Sequence, residues 1–380
     1  MRAASSTLLA ALEYSFDWNF VVDLIYNGQR VLANAPVTNL TMYDDATALV
    51  QRTGSFDLYY QDDYGVSFAP NVVGDILSPF GTQIALACIV NIGPGFAERI
   101  PMGTYLLSET PSIIQYLYNF KGQTVSKGDI ISINFKDLMY GVQRDRFNAP
   151  GAPVSLTSVW DELQRLLQLP ITKNVALTDS GIPNTVAYAQ DKLQACYDLA
   201  AAMGGILDMQ SDGTVGMRPT AWPSPVDTLN GGDFGALVDV GKSMSNDTVY
   251  NAVVIQTTDP TLGTVVLATL EITSGPLRTT NPDGSIGPYR RVPYFYSSPF
   301  ITTQAQAAAY APVLLAQVST LRAVSVPLVE NFNPLRDLGD VITVNRYSQG
   351  VIVDSFYGRV TQITRNSESP TQTTTIAVGQ

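Results

Sequence analysis

Histidine is absent from all 380 residues. That absence removes every nucleophile arrangement in which an imidazole takes the proton, Ser-His-Asp and Cys-His alike, and every metal site that needs an imidazole ligand. Carboxylates remain. Two Asp or Glu side chains suffice for glycoside hydrolysis if they stand roughly 5–10 Å apart across a bond, and Asp44-Asp45, Asp62-Asp63 and Asp161-Glu162 are the candidates. Adjacent carboxylates of this kind read more simply as solvated loop residues, and nothing in their spacing matches one with a partner. Asn281-Pro282-Asp283-Gly284-Ser285 resembles a calcium loop but lacks the alternating acidic ligands and closing Glu of an EF-hand. A Pro-Asp-Gly turn accounts for it without a metal. Ser211-Asp212-Gly213 reads as a hairpin turn for the same reason. Gly93-Pro94-Gly95 and Gly141 belong to no GxGxxG or GxxxxGK[ST] pattern, so no nucleotide site is expected.

Cys88 and Cys196 both sit in apolar stretches. So sparse a pair is neither a disulfide framework nor a zinc pattern, and buried free thiols are expected. The cluster Tyr289–Phe300 (YRRVPYFYSSPF) joins aromatic and basic residues. It suits stacking against single strands or sugars, or more simply an interface patch, where Tyr, Phe and Arg are enriched. No catalytic, cofactor-binding or metal-binding residue is therefore expected, and the chain reads as a non-enzyme.

Net charge is −11, and no Lys/Arg cluster exceeds a pair such as Arg290-Arg291. This argues against a protein that grips nucleic acid by neutralising phosphates. It remains compatible with DNA that slides past. Only 14% of residues are charged, against roughly 25% in ordinary soluble domains. Together with 19 Tyr and many Thr, Val, Asn and Gln, this fits β-structure that covers much of its surface with partners. Residues 1–12 (MRAASSTLLAAL) resemble a signal peptide in having one Arg before an apolar run. The run is short and leads into strand-like Phe16-Asp17-Trp18, so no export is expected, and assembly in the cytoplasm follows. No apolar segment reaches the length of a membrane span.

The elements that would position these residues are mostly strands. Residues 1–140 read as a β domain: Phe20–Tyr26 and Gln29–Leu32 flank Asn27-Gly28, a strong hairpin signal. Further strands are predicted at Ser55–Tyr60, Gln83–Asn91, Thr104–Ser108 and Gly128–Phe135. Residues 141–235 read as a small α/β domain. Ser158 and Asp161 have capping-box spacing, with Val159, Leu163, Leu166 and Leu167 on one face of a helix ended by Pro170. A second helix is predicted over Val186–Met203, with Ala189, Leu193, Cys196, Tyr197 and Ala200 on one stripe and Gly204-Gly205 as its stop. Ile206–Met209 and Thr214–Arg218 then form a hairpin. Pro219–Pro225 and Asn230-Gly231-Gly232 read as loop. Residues 236–380 read as a second β domain, with strands at Tyr250–Thr257, Val265–Ile272, Val341–Asn345, Val351–Ile363 and Thr373–Val378. A helix is inserted at about 303–322, which Pro312 should kink or break. The fold class is thus α+β, mainly β, with two related β barrels around an α/β unit.

Three stretches resemble the phage tail-hub family, that is, the baseplate hub of contractile phages and the N-terminal part of siphophage tail-associated proteins. Met102-Gly103-Thr104-Tyr105-Leu106-Leu107 is similar to the G-x-Y-x-[IL] strand near the end of that family's first tube-like barrel. Ser158–Leu167 followed by Ala189–Pro219 is similar to its paired helices and hairpin. Asn333-Pro334-Leu335-Arg336-Asp337-Leu338-Gly339-Asp340-Val341-Ile342-Thr343-Val344 resembles its LGD-x-[IV]-x-[IV] signature, and Phe356–Val360 and a Thr-rich final strand follow. The resemblance spans nearly the whole chain. It implies two tube-like barrel domains per subunit and a homotrimer with a pseudo-hexameric ring at the distal end of the tail, in the virion. The ring would join the tail tube to the tip. Implied partners are a distal tail or tail tube protein, a tape measure protein and tail fibre or central spike proteins, with DNA only in transit through the lumen. An acidic lumen would keep DNA from sticking. Any enzyme or receptor binder would be a separate chain, since no such extension follows Gln380. A distal-tail or receptor (carbohydrate)-binding tail protein is the second reading, and a glycan hydrolase the third.

Overall fold

The computed structural model describes the chain apart from residues 13, 15, 61–67, 94, 234, 242–248, 260–262, 299–300, 320–324 and 379–380. The acidic pair Asp62-Asp63, Pro94, the end of the aromatic cluster at Phe300 and the expected helix end near Arg322 lie outside the described residues.

The first strands are β1 (Asp17–Tyr26), β2 (Gln29–Asp45), β3 (Arg52–Tyr60), β4 (Gln83–Asn91), β5 (Ala97–Phe120) and β6 (Gln123–Asp137). Asn27 and Gly28 both take positive φ, 49° and 74°, and Tyr26 pairs with Gln29. This is the two-residue turn the sequence predicts, since left-handed φ at both central positions matches the twist of the flanking strands. β1 pairs β4, and pairing continues through β5, β6, β3 and β2, which pairs β1 again. Alternate residues from these strands, among them Phe20, Val22, Leu24, Met42, Phe56, Leu58, Ile84, Ile131 and Phe135, fill one core. The apolar run near the N-terminus belongs to it. Ser5 caps the short helix α1 (Ser6–Ala11) by accepting from Leu8 N at 3.1 Å, and the Leu8 side chain is fully buried.

The strand predicted at Thr104–Ser108 is the middle of the 24-residue β5. Its outer half and the start of β6 form a long hairpin closed by Lys121-Gly122 at φ 51° and 82°. Pro111, bulges near Glu109 and a run without polar alternation hide this arm from pattern reading.

The middle of the chain holds α2 (Met139–Arg144), α3 (Val159–Leu167), α4 (Lys192–Ala202), β7 (Gly205–Met209) and β8 (Val215–Pro219). Ser158 Oγ accepts from Asp161 N at 3.1 Å, the predicted cap. Asp179, rather than Asp161, completes it by accepting from Ser158 Oγ and Val159 N, at 2.6 and 3.0 Å. Val159, Leu163, Leu166 and Leu167 are buried as predicted. α4 starts six residues later than predicted. Asp191 caps it, accepting from Gln194 N at 2.9 Å. Val186 and Tyr188 are buried from non-helical backbone, Tyr188 bridging Gly151, while Ala189 is exposed. The predicted helix thus took in six residues that are not helical, Ala189 of its stripe among them. Gly204, at φ 73°, follows the helix end, and β7 and β8 pair as the predicted hairpin.

The remaining elements are β9 (Asp227–Asn230), β10 (Leu237–Val240), β11 (Ala252–Asp259), β12 (Gly263–Glu271), β13 (Pro293–Ser297), α5 (Gln304–Ser319), β14 (Ser325–Asn331), β15 (Val341–Ser348), β16 (Val351–Asn366) and β17 (Thr371–Val378). Six of them follow in the order β9-β15-β16-β17-β14-β10 around a second core of Leu229, Leu328, Ile342, Val344, Val360, Ile363 and Ile376. β9 precedes the limit expected at 235 yet pairs with β15. Thr41–Asp45 of β2 pair with Gln362–Asn366 of β16, so among the described residues twelve strands form one sheet.

The insertion is larger than the single helix expected. β11, β12 and β13 form a separate three-stranded sheet packed on α5, with Val253, Ile255, Ala307, Ala311 and Leu314 as its core. The strands predicted at Tyr250–Thr257 and Val265–Ile272 belong here and not to the large sheet. Thr303 Oγ1 accepts from Gln306 N at 3.3 Å and Gln306 Oε1 from Thr303 N at 3.1 Å, a reciprocal capping box. The helix runs unbroken through Pro312.

Candidate functional surface: a polar sheet face backed by buried charge

The seam between β2 and β16 makes one continuous sheet face, because directly paired residues point to the same side. Thr53 and Ser55 of β3 stand opposite Tyr43 and Thr41 of β2. These stand opposite Thr364 and Asn366 of β16. Thr364 stands opposite Thr373 of β17, and Thr373 opposite Val329 of β14. On the other side, Thr53, Ser55 and Asp57 meet Lys136, Asn134 and Ser132 of β6. The outward side is thus hydroxyls and amides. Its charges among these positions are Lys136 against Asp57, Glu109 and Asp45. Each carboxylate is held by a neutral neighbour: Asp57 by Ser132 Oγ at 2.6 Å, Glu109 by Asn134 Nδ2 at 2.9 Å, Asp45 by Gln362 Nε2 at 3.0 Å.

A hollow of about 430 Å³ on this face is lined by Tyr43, Thr53, Gly54, Ser55, Asn134 and Lys136. Gly54 is required there. A Cβ would strike the Thr41 carbonyl oxygen and lie 2.5 Å from Phe135 Cζ. Gly54→Ala should therefore lower the unfolding free energy by about 1–3 kcal/mol through overpacking, measured as a shifted denaturant midpoint at unchanged slope.

Behind the seam lies a buried charge network centred on the loop Pro334–Asp340, the stretch that carries the LGD resemblance. Arg336 donates to both carboxylate oxygens of Glu330, at 3.1 and 2.7 Å, and lies 2.9 Å from Asp227. Glu330 also accepts from Thr374 Oγ1 at 2.6 Å and Gln372 Nε2 at 2.9 Å. Arg365 of β16 donates to Asp44 of β2 at 2.7 Å, both side chains fully buried, and to the Arg336 carbonyl at 2.5 Å. Asp337 reaches Arg52 of β3 at 2.9 Å and Arg2 at 3.4 Å. Arg52 and Arg218 of β8 flank Asp208 of β7, at 3.7 and 3.4 Å. Gly339, at φ 80°, leaves room for Arg218, which a Cβ would strike. The loop therefore ties both strand groups and the middle unit together.

Burial alone would raise the carboxyl of Asp337, but Arg2, Arg52 and Arg365 hold it well below the usual range. Burial is likewise outweighed by Arg336 at Glu330, which is lowered. Such depressed groups contribute stability that is present above their unfolded values, near pH 4, and lost as pH falls through the folded ones. At Asp137 burial wins over the backbone N–H and charge of Arg52 and pushes the carboxyl up to about 6. Its contribution has the opposite sign and is lost as pH rises through about 6. Unfolding free energy measured from about pH 2 to 7 should thus climb steeply to about pH 4, and Asp337→Asn should flatten that climb.

The carboxylate pairs are not solvated loop residues throughout. Asp44 is buried in the network, and Glu162, fully buried on α3, accepts from Arg165 at 2.6 Å, from Tyr188 at 2.9 Å and from Ser155 N at 3.1 Å. Both are neutralised by arginine, Asp44 by Arg365 and Glu162 by Arg165. Asp45 and Asp161 are the solvated members, Asp161 lying 3.6 Å from Lys173. Asp283 accepts from Ser285 N at 3.0 Å and Oγ at 2.6 Å, a turn. Among the described residues no group of His, Cys, Asp or Glu is arranged to hold a metal ion, and no helix is long and apolar enough to cross a membrane. Cys88 and Cys196 are buried free thiols whose pKa burial pushes up to about 12. In the aromatic cluster Tyr294 packs on Tyr250 and Tyr296 on Tyr310, leaving Phe295 exposed.

No protein-family model matches the chain, and no curated protein matches its sequence. Solved structures do match. A tail protein from Neisseria meningitidis MC58 superimposes with a TM-score of 0.58 at 13% identity, over 95% of this chain and 97% of that one. The 43 kDa tail protein of prophage MuSo2 from Shewanella oneidensis gives 0.54 at 14% identity, over 95% and 98%. From one end to the other, this chain has the fold of these tail proteins.

Proposed function

We propose that the chain is a structural subunit of a phage tail tip or baseplate hub, a virion component at the distal end of the tail. In this reading each six-strand group is a tube-like barrel, the first within residues 1–140 and the second from β9 onward, with the α/β unit between them. Three copies place six such barrels in a ring that joins the tail tube to the tip. A distal tail or tube protein and a tape measure protein would meet one side, and fibre or central spike proteins the other. The chain itself catalyses nothing.

The observation that carries this reading is the continuous face of hydroxyls and amides across the β2–β16 seam, a surface to which both strand groups contribute. A channel wall must let a polyanion pass without holding it. Hydroxyls and amides satisfy water, and carboxylates outnumber lysine there, so phosphates find no net counter-charge. The buried network keeps the two barrels in fixed register behind that wall.

Cryo-electron microscopy of the intact particle tests the proposal. Three copies around the axis at the distal end of the tube, with Thr53, Thr364 and Thr373 toward the lumen, is the expected result. Six copies, or a peripheral position, would replace it with a distal-tail or receptor-binding role. Absence from the particle would remove it.

A further inference from the structure

β5 stops pairing with β4 at Leu106, and β6 stops pairing with β3 at Asp129. Beyond those points the two strands pair only with each other among the described residues. Five residues of β5 and six of β6 lie beyond the Gln115–Asp129 pair, an arm on the order of 20 Å long at roughly 3.3 Å each. A hairpin this far from the rest of the sheet is marginally stable in water, and its exposed apolar side chains invite a partner. Ile113, Ile114, Tyr116, Leu117, Tyr118 and Phe120 are 37–55% exposed. Successive strand residues point to opposite sides, so both faces of the arm are apolar and both need cover.

Charge identifies the partner. From Thr110 to Gly128 the arm carries Lys121 and Lys127 and no carboxylate, and all 33 Asp and Glu lie elsewhere in a chain of net charge −11. The arm is the basic, apolar part of an acidic protein, and a second copy of the same chain supplies the complementary surface. We propose that the β5–β6 arm is the clasp by which one copy holds the next. This rests on the ring reading above and adds to it the element that makes the joint.

The test uses the full-length protein and two variants. In one, Ile114, Tyr116 and Tyr118 are all changed to Ser. In the other, residues 116–128 are replaced by Asn-Gly, which closes the hairpin at the Gln115–Asp129 pair. Near-ultraviolet circular dichroism confirms that each is folded, and sedimentation equilibrium gives the subunit dissociation constant. The expected result is a wild-type trimer and at least a 100-fold weaker association in both variants, with Lys121→Glu weakening it several-fold in a salt-dependent way. Folded variants that associate as tightly as wild type overturn the clasp and leave the ring reading standing. A wild type that is monomeric at every concentration overturns both. A monomer whose arm instead binds anionic lipid vesicles overturns the clasp in favour of a membrane-seeking hairpin.

Discussion

Arg336→Met should lower the unfolding free energy by about 3–5 kcal/mol, the range seen when one partner of a buried ion pair is removed. Arg336 is fully buried, and Glu330 is 1% exposed. Without the guanidinium, Glu330 retains only Thr374 and Gln372 as donors for a carboxylate that water cannot reach. Asp227 loses its cation as well. The arginine also anchors the loop whose carbonyl holds Arg365, so the damage should spread to the β2–β16 seam. The double variant Arg336→Met with Glu330→Gln removes the stranded charge and should recover at least half of the loss. Denaturant unfolding of both single variants and the double gives the coupling energy. Simple additivity would mean that the pair is not the linked unit described here.

Ser55→Lys together with Thr373→Lys should turn the polar face into a DNA trap. The two positions lie on opposite sides of the seam, so the new ammonium groups do not crowd each other. In the proposed ring of three copies they would add six cations to the lumen. Six phosphate contacts imply that DNA binding gained at about 50 mM salt falls on the order of 10³-fold by about 200 mM. Binding of DNA to assembled rings and the rate of genome ejection from particles are the two readouts. Strong salt-dependent binding and slowed ejection are expected, with Ser55→Glu and Thr373→Glu behaving as wild type. Lysine variants that neither bind DNA nor slow ejection would remove this face from the channel.

What the sequence discloses is what is local. Asn27-Gly28 announces its turn because two adjacent residues decide it, and the caps at Ser158 and Thr303 are decided within four positions. The absence of histidine was as informative about catalysis as any contact in the structure. The charge network was not legible, since Asp44 and Arg365 are ordinary residues until the fold brings them to 2.7 Å. Glu162 misled for a related reason. Its neighbour Asp161 is solvated, and only the approach of Tyr188 and Arg165 shows that the two adjacent carboxylates face different environments. The arm escaped because its strands are apolar on both faces, a pattern that is neither alternating nor helical. The LGD stretch was noticed as a likeness, and its physical basis is that Arg336, Asp337 and Asp340 each reach another part of the chain.

The seam also sets an order in time. Arg365 meets Asp44 across a sequence separation of 321 residues, and at ribosomal rates of roughly 5–20 residues per second that gap lasts about 16–60 s. Throughout it, the Thr41–Asp45 edge of the nascent chain lacks its β16 neighbour and Asp44 lacks Arg365. A chain cut short before β16 keeps both defects, a bare strand edge and an unsatisfied carboxylate, which are the marks that chaperones and proteases act on. Pairing of β16 hides them in one step. In the proposed hub, subunits that can join a particle would be limited to those translated through β16.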